Sequence, residues 1–186
     1  MSSPDFHRRR RDAFLDALDG PVLLFAGGQR SRNYPANPYP YRADSNFLYF
    51  FPAVEAGAAA WFDPADRSVR LFLEARTAED ALWHGDRPGF DALRASLNVD
   101  EVLPVEELEA QITRLAAGRK LRSLAVADTA TTARAAQITG ESLDFRSPAG
   151  PGDPALCDAL FALRIRKQED ELAVMRRTAE VTHQAH

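Results

Sequence analysis

A chain of 186 residues has the size of one ordinary domain with room for an appendage, and its 45% hydrophobic and 27% charged residues are those of a globular fold. Its net charge of −4 gives no reason to expect a nucleic-acid partner, and no apolar run approaches the ~20 residues that a membrane span needs. The N-terminal stretch lacks the apolar core of a signal peptide, and the single cysteine, Cys157, excludes an internal disulfide framework, so a reducing cytoplasmic setting is expected.

From Asp5 to Leu18, Phe6, Ala13, Phe14, Ala17 and Leu18 recur at helical spacing until Asp19-Gly20-Pro21 stops the pattern. The basic run Arg8–Arg11 is interleaved with Asp5, Asp12 and Asp16, which predicts a solvated helix face. Val22–Ala26 is continuously apolar and of strand length, as in a central strand covered on both faces. Gly27-Gly28 follows, but GGQRSRN has neither the lysine nor the helix of a phosphate cradle, so a backbone turn is expected.

The stretch Asn37–Pro52 (NPYPYRADSNFLYFFP) is the densest in rings: Tyr39, Tyr41, Phe47, Tyr49, Phe50 and Phe51. Each such ring can bury ~150–250 Å², so they must plug a core. Asp44 stands where its carboxylate can accept from free N–H groups at the start of a short helix, Pro38 and Pro40 stiffen the approach, and Pro52 ends the element.

Gly57–Phe62 and Val69–Leu73 flank Asp63–Ser68 as strand, turn, strand, with Pro64 placed for a type I turn. Glu79–Gly85 predicts a short helix bearing Trp83, and its polar neighbours Glu79, Asp80, His84, Asp86 and Arg87 place that ring at the surface. Phe90–Leu97 is helical, Glu101–Leu103 a strand, and Pro104 introduces a helix over Val105–Ala117 that Gly118 closes. Further strands are expected at Leu121–Ala127 and Leu143–Phe145, with a weak helix over Thr131–Ile138 between them. This succession predicts an α/β layer domain built on a mixed sheet.

Ser147–Pro154 is the composition break, a rigid irregular linker, and divides the chain into an α/β domain over 1–152 and a second segment over 153–186. Ala155–Arg164 is helical, and from Lys167 a second helix carries Leu172, Met175, Arg176, Ala179, Thr182 and His183 along one face, with Glu169, Asp170 and Glu171 at its N-terminal end. That pattern is still running at His186, as for the first element of a further domain. The four histidines (His7, His84, His183, His186) do not cluster with carboxylates; His183 and His186 have a spacing that can bind metal, but ordinary helix positions account for them. Cys157 lies in an apolar helix, where thiols are usually inert.

Three motifs together resemble one family. Tyr41-Arg42-Ala43-Asp44-Ser45-Asn46-Phe47-Leu48-Tyr49-Phe50 is similar to the aromatic signature of the N-terminal domain of aminopeptidase P, the Xaa-Pro aminopeptidases. Glu79–Pro88 resembles its Trp–Gly–Arg segment, and Leu163–Lys167 with Glu171–Arg177 the entry to its catalytic domain. Gln168 stands where the family has Ser, and Phe51-Pro52 where it has Thr-Gly. The resemblance implies an RNase H-like mixed sheet flanked by helices, followed by the first helix of a "pita-bread" domain. In the family, that domain holds two divalent metals, typically manganese, through two Asp, one His and two Glu, and removes an N-terminal residue preceding proline. This stretch would then hold no catalytic residue, cofactor or metal of its own. It would pack on the catalytic domain of the same chain, shape the cleft, support a homo-oligomer, and send Trp83 to a peptide substrate with proline second. The same fold also fronts a non-enzymatic histone-chaperone subunit and small-amide hydrolases such as creatinase, and metal ligands beyond His186 would separate these cases.

Overall fold

Strands β1 (Val22–Phe25), β2 (Ala59–Asp63), β3 (Ser68–Leu73) and β4 (Glu101–Pro104) form one mixed sheet in the order β1-β2-β3-β4. The computed structural model describes residues 4–52, 54–85, 87–148 and 150–186, without the side chains of Pro4, Ala78, Asp80 and His84, so Asp86 and Ala149 of the segments read above lie outside the described residues. β1 and β3 run antiparallel to β2, with Leu23 opposite Trp61 and Trp61 opposite Arg70; β4 is parallel to β3, with Leu71 opposite Val102.

Because side chains alternate along a strand, the sheet has two apolar faces, which accounts for the unbroken hydrophobicity of β1 and much of β2. Val22, Leu24, Ala60, Phe62, Val69 and Leu71 point to one face. There they meet Phe14 and Leu15 of α1 (Pro4–Ala17), Phe47 and Phe50 of α2 (Ser45–Phe50), and Leu156 and Leu160 of α7 (Pro154–Ile165). Leu23, Phe25, Ala59, Trp61 and Phe72 point to the other, against Leu108 and Ile112 of α5 (Leu108–Ala116) and Ala135 of α6 (Thr129–Thr139). The chain is thus a three-layer α/β sandwich of the predicted class. Among the described residues no helix is long and apolar enough to cross a membrane.

The ends of these elements follow from local chemistry. Asp44 caps α2, its carboxylate accepting from the Asn46 N–H at 2.8 Å. The helix expected from Val105 begins as a single 3₁₀ turn, Val105–Glu107, before α5, and Ala117 and Gly118 end it with φ of 48° and 80°. α4 (Phe90–Leu97) matches its predicted span, and α8 (Glu169–Ala185) starts at a Gln168 N–H that donates to the Glu171 carboxylate at 3.0 Å.

Three expectations need correction. Leu121–Ala127 buries Leu121 and Ser123–Val126 but is not a regular strand. Arg122 pairs parallel with Val22 for one step, Leu124 then bridges to Gly152, and the Ala125 N–H donates to the Pro151 carbonyl, so no single neighbour sustains a ladder. Leu143–Phe145 is irregular because Asp144 accepts from the Arg146 N–H and folds the chain into a turn, leaving Phe145 exposed. The run Arg8–Arg11 is only half solvated: Arg8 and Arg9 are exposed, whereas Arg10 and Arg11 are buried beside Phe6, His7 and Phe14. Their guanidinium groups are drawn inward by backbone carbonyls that charge patterning along one helix cannot reveal.

Candidate functional site

The ring predicted to lie at the surface does so. α3 (Ala78–His84) leaves β3 through Glu74–Thr77 and ends at Gly85, whose φ of 79° suits glycine. Leu82 is 80% and Trp83 75% exposed, while the chain's other tryptophan, Trp61, is wholly buried in the sheet. Beneath α3 lies a cavity of about 490 Å³, lined by Val54, Leu73, Ala81, Phe90 and Leu93 among others. Glu55 stands on its rim and forms ion pairs with both Arg76 and Arg87, which bracket α3. The Glu55 carbonyl accepts from the Tyr41 hydroxyl at 3.2 Å, and that hydroxyl also lies within bonding distance of the Ala26 and Gly27 carbonyls. Burial pushes the Tyr41 hydroxyl up to about 12, so at neutral pH it is a donor. Sequence reading missed Glu55 and Arg76; the acidic Glu55 alone in an apolar stretch was the available signal.

A second polar constellation joins α1 and α2 to the start of α8. Arg10 donates to the Tyr49 carbonyl at 2.9 Å, its guanidinium carbon lies 3.9 Å and 4.0 Å from the centroids of the Phe6 and Tyr49 rings, and it pairs with Glu171 of α8 at 3.1 Å. The Tyr49 hydroxyl donates to the Leu163 carbonyl at 3.1 Å, and Arg164 donates to the Asn46 side chain. His7 lies under this cluster with Nδ1 3.3 Å from the Tyr49 carbonyl. Burial lowers the pKa of His7, and the nearby cations of Arg10 and Arg11 lower it further, so the ring is neutral at pH 7.

Other groups singled out in the sequence do not assemble into a site. His183 and His186 are exposed on α8, and among the described residues no three His, Cys, Asp or Glu side chains gather as metal ligands. The described residues thus offer no donor set for a two-metal centre. Burial pushes the Cys157 thiol up, away from thiolate character. At the Gly27-Gly28 turn, the Gly28 N–H donates to the Asp128 carboxylate at 3.2 Å, and that carboxylate caps α6 by accepting from the Thr131 N–H.

Known proteins supply the frame for these features. The model of the aminopeptidase P N-terminal domain matches residues 7–124, well over half of the chain. The chain belongs to this family. The Xaa-Pro aminopeptidase of Escherichia coli is 29% identical over 197 residues, an overlap that takes in 100% of this chain and 44% of that protein. Among solved structures, E. coli aminopeptidase P in its low-pH form superposes with a TM-score of 0.81 at 25% identity, and the same enzyme with the inhibitor Pro-Leu with 0.80 at 27%. Both superpositions cover 100% of this chain and 44% of the solved one. The chain thus spans less than half the length of these relatives.

Proposed function

We propose that this chain is the non-catalytic N-terminal domain of a metal-dependent Xaa-Pro aminopeptidase, an enzyme of the cytoplasm that releases the N-terminal residue before a proline. The two divalent ions of such an enzyme, manganese in this reading, would be held by a catalytic domain joined through α8 and would supply the water nucleophile. The work of the present domain is positional. It packs on that catalytic domain, narrows the cleft to short or unfolded peptides, and supports a homo-oligomer in which Trp83 reaches a neighbouring subunit's cleft and stacks on the bound peptide. The observation that carries this reading is the exposure of Trp83, 75%, on a helix that buries no large side chain of its own among those described. A large ring left in water is disfavoured unless something covers it, and a rim aromatic offers wide contact with few torsions to freeze.

The test is Trp83→Ala in the longer protein, assayed on Xaa-Pro peptides with manganese. Stacking worth up to ~1.5 kcal/mol predicts a fall in kcat/KM of about tenfold, carried mainly by KM, with metal content and unfolding midpoint unchanged. An unchanged kcat/KM together with lost stability would show that Trp83 serves packing instead. The 186-residue chain alone is expected to leave the same peptides intact.

A further inference from the structure

α3 poses a physical problem. It has seven residues, far below the length at which a helix holds itself in water. Its Leu82 and Trp83 face solvent, and only Ala81 among its described side chains is half-buried. Under it lies the cavity of about 490 Å³ rather than packed core. Burial therefore does not fix where Trp83 points. What brackets the helix is ionic: Arg76, two residues before its start, and Arg87, three beyond its end, both pair with Glu55.

Glu55 is itself well anchored. Its carbonyl takes hydrogen bonds from the Tyr41 hydroxyl at 3.2 Å and the Ala58 N–H at 3.4 Å, between the end of the aromatic stretch and the start of β2. We propose that Glu55 is the positioning residue for Trp83: its backbone is tied through the Tyr41 hydroxyl to the end of β1, and its one carboxylate clasps both ends of the α3 excursion and so sets where the helix presents the ring. The proposal rests on the reading of Trp83 as a substrate contact for its meaning, but the clasp itself is testable without it. One carboxylate serving two arginines couples the ends, so removing its charge loosens both together, whereas losing either arginine loosens only one.

The two tryptophans make the experiment direct, since Trp61 is wholly buried and Trp83 is 75% exposed. In the 186-residue chain, Glu55→Gln is expected to lower the fluorescence anisotropy of the acrylamide-accessible tryptophan and to speed amide exchange over residues 78–85 about fivefold, the factor that two part-exposed ion pairs of ordinary strength supply. The thermal midpoint and exchange in β1–β3 should not move. Raising sodium chloride to about 0.5 M, which screens exposed pairs, should reproduce the effect in the wild type and add nothing in Glu55→Gln. A Trp83→Phe control leaves only the buried Trp61 signal. Unchanged exchange and anisotropy in Glu55→Gln would overturn the proposal, and so would changes matched by an equal loss of exchange protection throughout the sheet. In the longer enzyme, the same variant should raise KM for Xaa-Pro peptides with kcat little changed. If the wild-type enzyme does not cleave such peptides while the spectroscopic changes occur, the functional reading fails and the clasp stands.

Discussion

Replacing Arg11 by methionine isolates the most demanding polar contact in the domain. The Arg11 side chain is 2% exposed and donates to the Phe50 carbonyl at 2.9 Å, the Leu97 carbonyl at 2.6 Å and the Asn98 carbonyl at 3.0 Å. These are the C-terminal ends of α2 and α4, where carbonyls lack helical partners and carry the negative end of the helix dipole. Methionine keeps most of the stem and removes every donor. Leaving the buried Phe50 carbonyl and the part-buried Leu97 and Asn98 carbonyls unpaired costs up to ~1–3 kcal/mol each, or roughly 3–9 kcal/mol in all where water does not reach them. Against this, burial holds the Arg11 pKa down from 12.5 to about 10, so removing the buried cation returns about 3 kcal/mol at 1.36 kcal/mol per unit. The net spans roughly 0–6 kcal/mol, and a loss near its middle, about 3 kcal/mol, is expected, most of it from the orphaned helix ends. Arg11→Lys should lose about half as much, because one ammonium reaches one helix end but not both. Urea unfolding measures this as a lower midpoint at constant m-value. Should Arg11→Met stay within about 0.5 kcal/mol of the wild type, the carbonyls are satisfied by water and the reasoning fails.

His7 is held neutral by burial, so the unfolded chain takes up its proton near the ordinary value of 6.5 while the folded chain resists; stability is therefore lost as pH falls from 6.5 toward the lowered folded value. A His7→Gln variant should show a flatter loss between pH 7 and 5, and an identical slope would exclude His7 as the cause. At Gly152 a Cβ would sit 2.5 Å from the Ser123 carbonyl oxygen, so Gly152→Ala should cost roughly 1–3 kcal/mol by thermal unfolding; a neutral result would mean that the 121–127 segment yields freely. Asp128→Ala removes the α6 cap and the acceptor of the Gly28 N–H and should cost about 1–2 kcal/mol, with exchange rising first at Thr131 and Gly28.

The aromatic stretch was legible because its chemistry is local: Asp44 lies two residues from the N–H it caps, and the ring spacing demands burial. Trp83 was legible because the chain around it is polar and offers no apolar period to bury, and the ring is 75% exposed. Arg10 and Arg11 were not, since the acceptors that draw them inward lie 39 to 87 residues away and are backbone atoms without sequence identity. Glu55 escaped likewise: its partner Arg76 is 21 residues on, beyond any helical or strand period. The 121–127 segment misled because its apolar pattern reports burial truthfully, while strand regularity depends on whether one neighbour continues to offer its edge.

The aromatic stretch also explains how this domain transmits position. Phe47, Phe50 and Phe51 enter the core, where the Phe50 ring centroid lies 4.7 Å from that of Phe14 and 5.2 Å from that of Phe62. A six-residue helix has no stability of its own, so α2 is as rigid as that ring cluster makes it. Its outward groups then act from a fixed base. Asn46 and Tyr49 hold the end of α7, the Tyr49 carbonyl orients Arg10 toward Glu171 of α8, and Tyr41, in the segment leading into α2, steadies Glu55. The two extremities that the functional reading needs in register, the Trp83 helix and the departing α8, are thus referred to one buried element. In the proposed enzyme, a catalytic domain joined through α8 would be placed relative to Trp83 through this aromatic stretch, which gives the signature's polar residues as well as its rings a physical reason to occur together.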